Sequence, residues 1–269
     1  MNPARLLFLA VALVAQITLA RGAVPRAQDL PGRLSALQND TSLLLRIKIT
    51  VVDAPTGGRR AAQILVKRRR DGSMTRILYQ VLWPASHQGE ALYLEKAGPG
   101  AASGFTFTPP ESMQPLTPDL LGRPYLDSDL SFEDLAEDYW QWPSQEVVGE
   151  ETINGDLCAI IISCPPPGLT TEYSLIRTWV SIDKTLPLRI EKMGRDRHLR
   201  KWFAVQKAAH HDHAWVPVIT LVQSADRSRQ TTIEFSRASR IAEIPVEDFS
   251  LENIKKLASG TTREPKKQD

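Results

Sequence analysis

The sequence lacks most of the signatures by which enzymes and nucleic-acid binders are recognised. Among its 269 residues there is no G-x-S-x-G elbow, no glycine-rich phosphate loop and no dinucleotide glycine pattern. Nucleophilic, phosphoryl-transfer and nicotinamide chemistry therefore have no visible machinery. The formal net charge is only +2, which provides no global basic field for a nucleic acid. Cysteine is scarce, with Cys158 and Cys164 alone in "LCAIIISC". On one extended strand they would stand roughly 20 Å apart, and a disulfide needs Cα atoms within about 7 Å. They should not pair with each other, and neither has a basic neighbour in sequence that would activate it.

Long apolar runs are equally rare. The one at the start, "MNPARLLFLAVALVAQITLARGAV", has Arg5 ahead of an apolar run over residues 6–19, interrupted mainly by Gln16 and Thr18. This run falls short of a membrane span of about 20 residues. Thr18 and Ala20 suit the −3 and −1 positions of a secretory cleavage site. Residues 1–20 are therefore expected to be a signal peptide, with a cut after Ala23 as the alternative. No cysteine lies near the cut, so no lipid anchor is expected, and the mature protein should be soluble and periplasmic. The end, "SGTTREPKKQD", is disordered by composition. This leaves one domain over residues 40–257 and a tail over 258–269.

What the chain does have is alternation. In "TSLLLRIKITVVD", Leu43, Leu45, Ile47, Ile49 and Val51 fall on one face, with Arg46, Lys48 and Thr50 on the other. In "MTRILYQVLW", Ile77, Tyr79, Val81 and Trp83 share a face. Asp71-Gly72 and Asn154-Gly155 mark hairpins. The basic run Lys67-Arg68-Arg69-Arg70 reads as an exposed strand end before the first of them. The pattern predicts a mainly β protein, an up-and-down antiparallel sheet of about 11–12 strands that curls into an incomplete, half-open barrel. Its inner face is apolar and poor in groups that could orient a reaction. That suits an apolar ligand, or a packed core.

One stretch interrupts the meander. "PPESMQPLTPDLLGRPYL" carries five prolines from Pro109 to Pro124, a stiff strap with one short helical turn near Asp119. "DLSFEDLAEDYWQWP" follows. Ser131 and Asp134 form a capping-box variant. Phe132, Leu135, Ala136 and Tyr139 then recur at i, i+3, i+4 and i+7, the apolar stripe of an amphipathic helix of about ten residues. Glu133, Asp134, Glu137 and Asp138 are placed on the opposite, solvated face. The expected hydrophobic cavity and lid comprise Leu45, Ile47, Ile49, Ile77, Tyr79, Val81, Trp83, Phe132, Leu135 and Tyr139. In "AAHHDHAW", His211 and His213 are weak candidates for a metal, since a functional site needs three or four convergent ligands. No cofactor and no catalytic residue is expected.

Several motifs resemble one family. "SDLSFEDLAEDYW" is similar to the signature of LolA-like outer-membrane lipoprotein-sorting proteins. "WPASHQGEALYLE", "VVGEETINGD", "RTWVSIDKTLPLRIEKMGRDRHLRKW", "AWVPVITLVQ" and "IPVEDFSLENIKKL" support the match over roughly residues 60–257. The glycine that usually precedes the signature serine is replaced, as "YLDSDL". The resemblance implies a half-barrel whose helices plug a hydrophobic cavity, used to hold acyl chains of a lipoprotein or lipid. An inner-membrane transporter and an outer-membrane acceptor are the implied partners. The competing expectation is an envelope-stress sensor, or an accessory subunit docking on a transporter.

Overall fold

The computed structural model describes residues 27–39, 42–98, 100–136, 139–211, 214–235, 239–240 and 244–258. The proposed signal peptide and residues 259–269 lie outside them. Two antiparallel meanders make up the fold. The first runs through β1 (Leu43–Asp53), β2 (Arg59–Asp71), β3 (Met74–Trp83), β4 (Ala91–Ala97), β5 (Ser103–Thr108) and β6 (Ser112–Pro115). The second runs through β7 (Ser144–Ile153), β8 (Asp156–Cys164), β9 (Tyr173–Ser181), β10 (Leu186–Gly194), β11 (Leu199–His211), β12 (Ala214–Ser224) and β13 (Arg229–Phe235). They join where β1 pairs with β13, with Ile47 opposite Phe235 and Ile49 opposite Ile233. The result is one continuous antiparallel sheet of thirteen strands that does not close into a barrel. A two-residue strand, β14 (Ser239–Arg240), pairs with the start of β1.

The expected count of 11–12 falls short by β6, which forms inside the proline-rich stretch and pairs with β5. Proline is tolerated there because β6 is an edge strand with one row of backbone groups unpaired. The hairpins form at the anticipated dipeptides. Asn154 and Gly155 both take positive φ between β7 and β8, the geometry that makes Asn-Gly favourable.

The order of strands leaves β6 and β7 at the two edges of the sheet, although they are consecutive in sequence. Residues 116–143 must therefore cross from one edge to the other. They contain α2 (Pro118–Leu121), capped by the Thr117 hydroxyl, and α3 (Phe132–Ala136). Tyr125 and Leu130 of this strap pack against Ile47, Ile64, Val81 and Ile233 on one face of the sheet. The other face of the first meander is covered by α4 (Leu251–Ala258), whose Ile254 joins Leu78, Ala91 and Phe107. The basic run is part of that arrangement rather than a loose strand end. Lys67 pairs with Asp248 at 2.8 Å, and Arg69 donates to the Ile244 carbonyl at 2.6 Å.

The core also extends upstream of residue 40. Leu30 and Leu34 of α1 (Leu30–Asn39) are buried against Tyr139, Trp140 and Trp142. Cys158 and Cys164 are free.

Candidate functional site

The strap is fastened before it reaches the site. Its turn at Leu126 and Asp127 takes positive φ, and the Asp127 carbonyl accepts from both Arg60 and Arg229 at 2.7 Å. Asp129 is buried, its carboxylate accepting from the Ser224 backbone N–H at 3.0 Å and the Thr231 hydroxyl at 2.8 Å. Ser131 and Asp134 form the anticipated capping box, with Ser131 N–H donating to Asp134 Oδ2 at 2.7 Å. The Tyr79 hydroxyl donates to the Leu135 carbonyl at 3.2 Å, and its burial pushes its pKa up to about 12.

Between α3 and the sheet lies a cavity of about 360 Å³. Leu45 and Ile47 of β1 and Ile233 and Phe235 of β13 line one side of it. Val66, Tyr79, Leu130 and Leu135 contribute as well. The far wall comes from β10 to β12. There Leu186, Pro187, Leu188 and Ile190 all reach the cavity, together with Phe203, Val205 and Pro217. Three consecutive residues can do so because the β9–β10 register shifts between Pro187 and Arg189, leaving Leu188 unopposed. Such bulges bend a strand and re-aim its side chains. Two further shifts between β11 and β12 sit beside Pro217. Apart from the Tyr79 hydroxyl, the only polar side chains in the lining among the described residues are Asp134 and Thr220.

Asp134 corrects the expectation of a solvated acidic face. Its carboxylate is 1% exposed and sits between Lys192 and Lys201, with Lys192 Nζ 2.8 Å from Oδ1 and Lys201 Nζ bonded to Oδ2. The Tyr173 hydroxyl also donates to it, at 3.0 Å. Lys192 and Lys201 are direct partners in the β10–β11 register, so the sheet delivers both ammonium groups to one carboxylate. Burial opposes ionisation of Asp134, but these two charges outweigh it and hold the carboxyl far below the ordinary aspartate range. Glu133 is buried too, accepting from the Glu172 backbone N–H at 3.3 Å. Its pKa is raised, mainly by burial. Glu137 and Asp138 lie outside the described residues. Both acids of α3 are taken up by partners, Glu133 by the Glu172 backbone and Asp134 by Tyr173, Lys192 and Lys201, which is why they are not wet.

The ten residues expected to form the cavity and lid separate into groups. Leu45, Ile47, Tyr79 and Leu135 line the cavity. Ile49 and Val81 are buried in the adjoining core, against which Ile77 and Phe132 are packed. Phe132 meets Tyr125 edge-on at 5.4 Å. Tyr139 belongs to a different cluster, with Leu30 and Trp140, because α3 ends at Ala136 and a separate turn covers Tyr139–Gln141. Trp83 is 51% exposed and does not reach the cavity. A register shift beside Ile64 puts it opposite Gln63.

Alternation within the first meander did not reveal the lining from β10 to β12. The signal that was present is a lysine in step with apolar positions, Lys192 after Leu188 and Ile190, and Lys201 before Phe203 and Val205. His211 ends β11 and His213 lies outside the described residues. Among the described residues, no group of three or more His, Cys, Asp or Glu could hold a metal ion. No described helix is long and apolar enough to cross a membrane.

The comparisons agree on the architecture. A DUF1329 family protein from Desulfovibrio piger superposes with a TM-score of 0.78 at 19% identity, covering 85% of this chain and 97% of that one. A domain from Vibrio parahaemolyticus, described as an outer membrane lipoprotein-sorting protein, gives 0.77 at 15% identity, over 85% and 98%. A LolA superfamily protein from Nitrosomonas europaea gives 0.68 at 16% identity, over 86% and 100%. No curated protein matches the sequence. A family model described as "-like: Uncharacterized protein" matches residues 46–256. The chain belongs to that family, and its fold is LolA-like.

Proposed function

We propose that the protein is an exported, periplasmic carrier that holds acyl chains of a lipoprotein or lipid in the cavity for transfer toward the outer membrane. The observation that carries this reading is the apolar space of about 360 Å³ between strap and sheet. Each buried CH₂ contributes about 0.8 kcal/mol, so the lining needs no further chemistry to retain a chain. α3 acts as the lid, with Leu135 as the side chain that exchanges its contacts for those of the ligand. Loading from an inner-membrane transporter and delivery to an outer-membrane acceptor complete the cycle.

The test is native mass spectrometry of the mature chain purified from a periplasmic extract, followed by organic extraction of the same sample. A lipid or acylated peptide near one-to-one is the expected result. A clean apo mass, unchanged after incubation with membranes, would overturn the carrier reading.

A further inference from the structure

The cavity has two unlike ends, and together with its size they define the ligand more narrowly. Along β10 the lining runs from Leu186 at one end to Ile190, and the next position in step is Lys192, which holds Asp134. At that inner end the carboxylate is saturated. Oδ1 accepts from Lys192 and Tyr173, and Oδ2 accepts from Lys201 and from both the backbone N–H and the hydroxyl of Ser131. Two carboxylate oxygens offer about four lone-pair sites, so no acceptor capacity remains for an arriving headgroup. A charged group entering there would have to break a buried ion cluster.

At the opposite end, past Leu186 and Pro217, the strands continue to more exposed residues. Two residues beyond Pro217 on β12 stands Trp215, which is 36% exposed. Two residues ahead of Leu186, Lys184 places its ammonium 5.0 Å from the centre of the Trp215 ring. His210 meets the same ring edge-on at 5.7 Å. Lys184 also pairs with Asp156 at 2.6 Å. An aromatic body with a cation above it and one edge in water suits the junction between an acyl chain and an anionic headgroup.

Volume sets the number of chains. A methylene is similar in size to a water, whose share of liquid volume is about 30 Å³, so a cavity of about 360 Å³ accommodates at least about a dozen methylenes. One acyl chain fits, with its last carbons at the rim. The three chains of a lipoprotein anchor exceed the space while α3 stays in place.

We infer that the ligand is a single-chain amphiphile, bound tail-first toward Asp134, with an anionic carboxylate or phosphate headgroup at Trp215 and Lys184. This inference rests on the carrier reading and narrows its cargo. It is tested on the delipidated mature chain by displacement of a fluorescent fatty acid and by native mass spectrometry. The probes are palmitate, palmitoyl lysophosphatidic acid, uncharged monopalmitoylglycerol and a tripalmitoylated cysteinyl peptide. The single-chain probes should bind one-to-one, and the tripalmitoylated peptide about tenfold more weakly or worse. Equal or tighter binding of the tripalmitoylated peptide overturns the single-chain inference and leaves the carrier reading standing. Binding of none of the probes overturns both.

Lys184→Gln addresses the headgroup. It should weaken the anionic probes roughly fivefold while leaving monopalmitoylglycerol unchanged. Whichever anionic probe loses more identifies carboxylate or phosphate as the preferred head. An equal loss for charged and uncharged probes, or no loss for either, overturns the headgroup assignment. A thermal melt of the variant separates these outcomes from a folding defect.

Discussion

The strap meets β1 to β3 and β10 to β12 very differently. Against β1 to β3 it brings Tyr125 and Leu130, and beyond the cavity's edge at Leu45, Ile47 and Tyr79 the space fills: Ile49, Ile64 and Val81 are almost completely buried. Opposite β10 to β12 it offers Leu135 and Asp134, and Leu188, Phe203 and Val205 face a cavity instead. The sheet side is comparably apolar in both places. The difference comes from the strap, whose large side chains fall to either side, Tyr125 over the first meander and Tyr139, Trp140 and Trp142 against β8 and β9, and from the bulges in β10 to β12 between them. A cavity in this fold is a matter of what the covering segment lacks.

The largest effect that would break this comparison is at Asp134. Asp134→Ala leaves two buried ammonium groups unbalanced and should destabilise the protein by about 3–5 kcal/mol, read from the urea midpoint. Replacing all three partners by apolar residues, Asp134→Leu with Lys192→Met and Lys201→Met, should restore most of the loss. If Asp134→Ala is as stable as the parent, the ion cluster does not hold the strap.

Next comes the contrast between Tyr139 and Leu135. Tyr139→Ala should cost about 3–5 kcal/mol, as for a buried aromatic, and Leu135→Ala only about 1–2 kcal/mol. For acyl-chain retention the order should reverse, with Leu135→Ala the more damaging once stability is matched by temperature. Both effects following stability alone would remove the distinction between packed and open regions.

The pH dependence is smaller and has two opposing parts. Asp134 is depressed when folded, so its contribution is complete above the ordinary aspartate value of 3.8 and is lost as the pH falls below it. Glu133 is raised when folded, so the folded state binds its proton more readily. Stability attributable to Glu133 therefore increases as the pH drops from neutrality through its raised value toward the ordinary 4.5. Urea midpoints at pH 7, 5 and 3 should pass through a shallow maximum and then fall. Glu133→Gln should abolish the rise and keep the fall. The smallest expected effect is at Trp83, where Trp83→Ala should change stability by no more than about 0.5 kcal/mol and leave ligand retention untouched.

These contrasts show what the sequence makes legible. Alternation identifies the strands, and it assigns Leu45, Ile47 and Tyr79 to the inner face because β1 and the first part of β3 run without interruption. It fails at Trp83, where one register shift inverts the phase. It also fails on β10 to β12, where bulges let neighbouring residues such as Leu186, Pro187 and Leu188 serve the same surface. The capping box at Ser131 is readable because it is local. The burial of Asp134 is not, since it depends on Lys192 and Lys201, which lie 58 and 67 residues further along the chain. Periodicity alone cannot distinguish a wet carboxylate from a paired one when its partners are that remote.

The seam between β1 and β13 has a consequence for how the protein is made. Apart from it and the two-residue β14, the strand pairings join neighbours in the chain, whereas the Lys48–Glu234 pair across the seam spans 186 residues. Contacts of such separation carry the greatest loop-closure penalty and tend to form late. Because Leu45 and Ile47 come from one side of the seam and Ile233 and Phe235 from the other, the binding space comes into being only when the two meanders zip together. In a refolding experiment, capture of a fluorescent fatty acid should lag behind strand formation and report the moment the chain finishes folding.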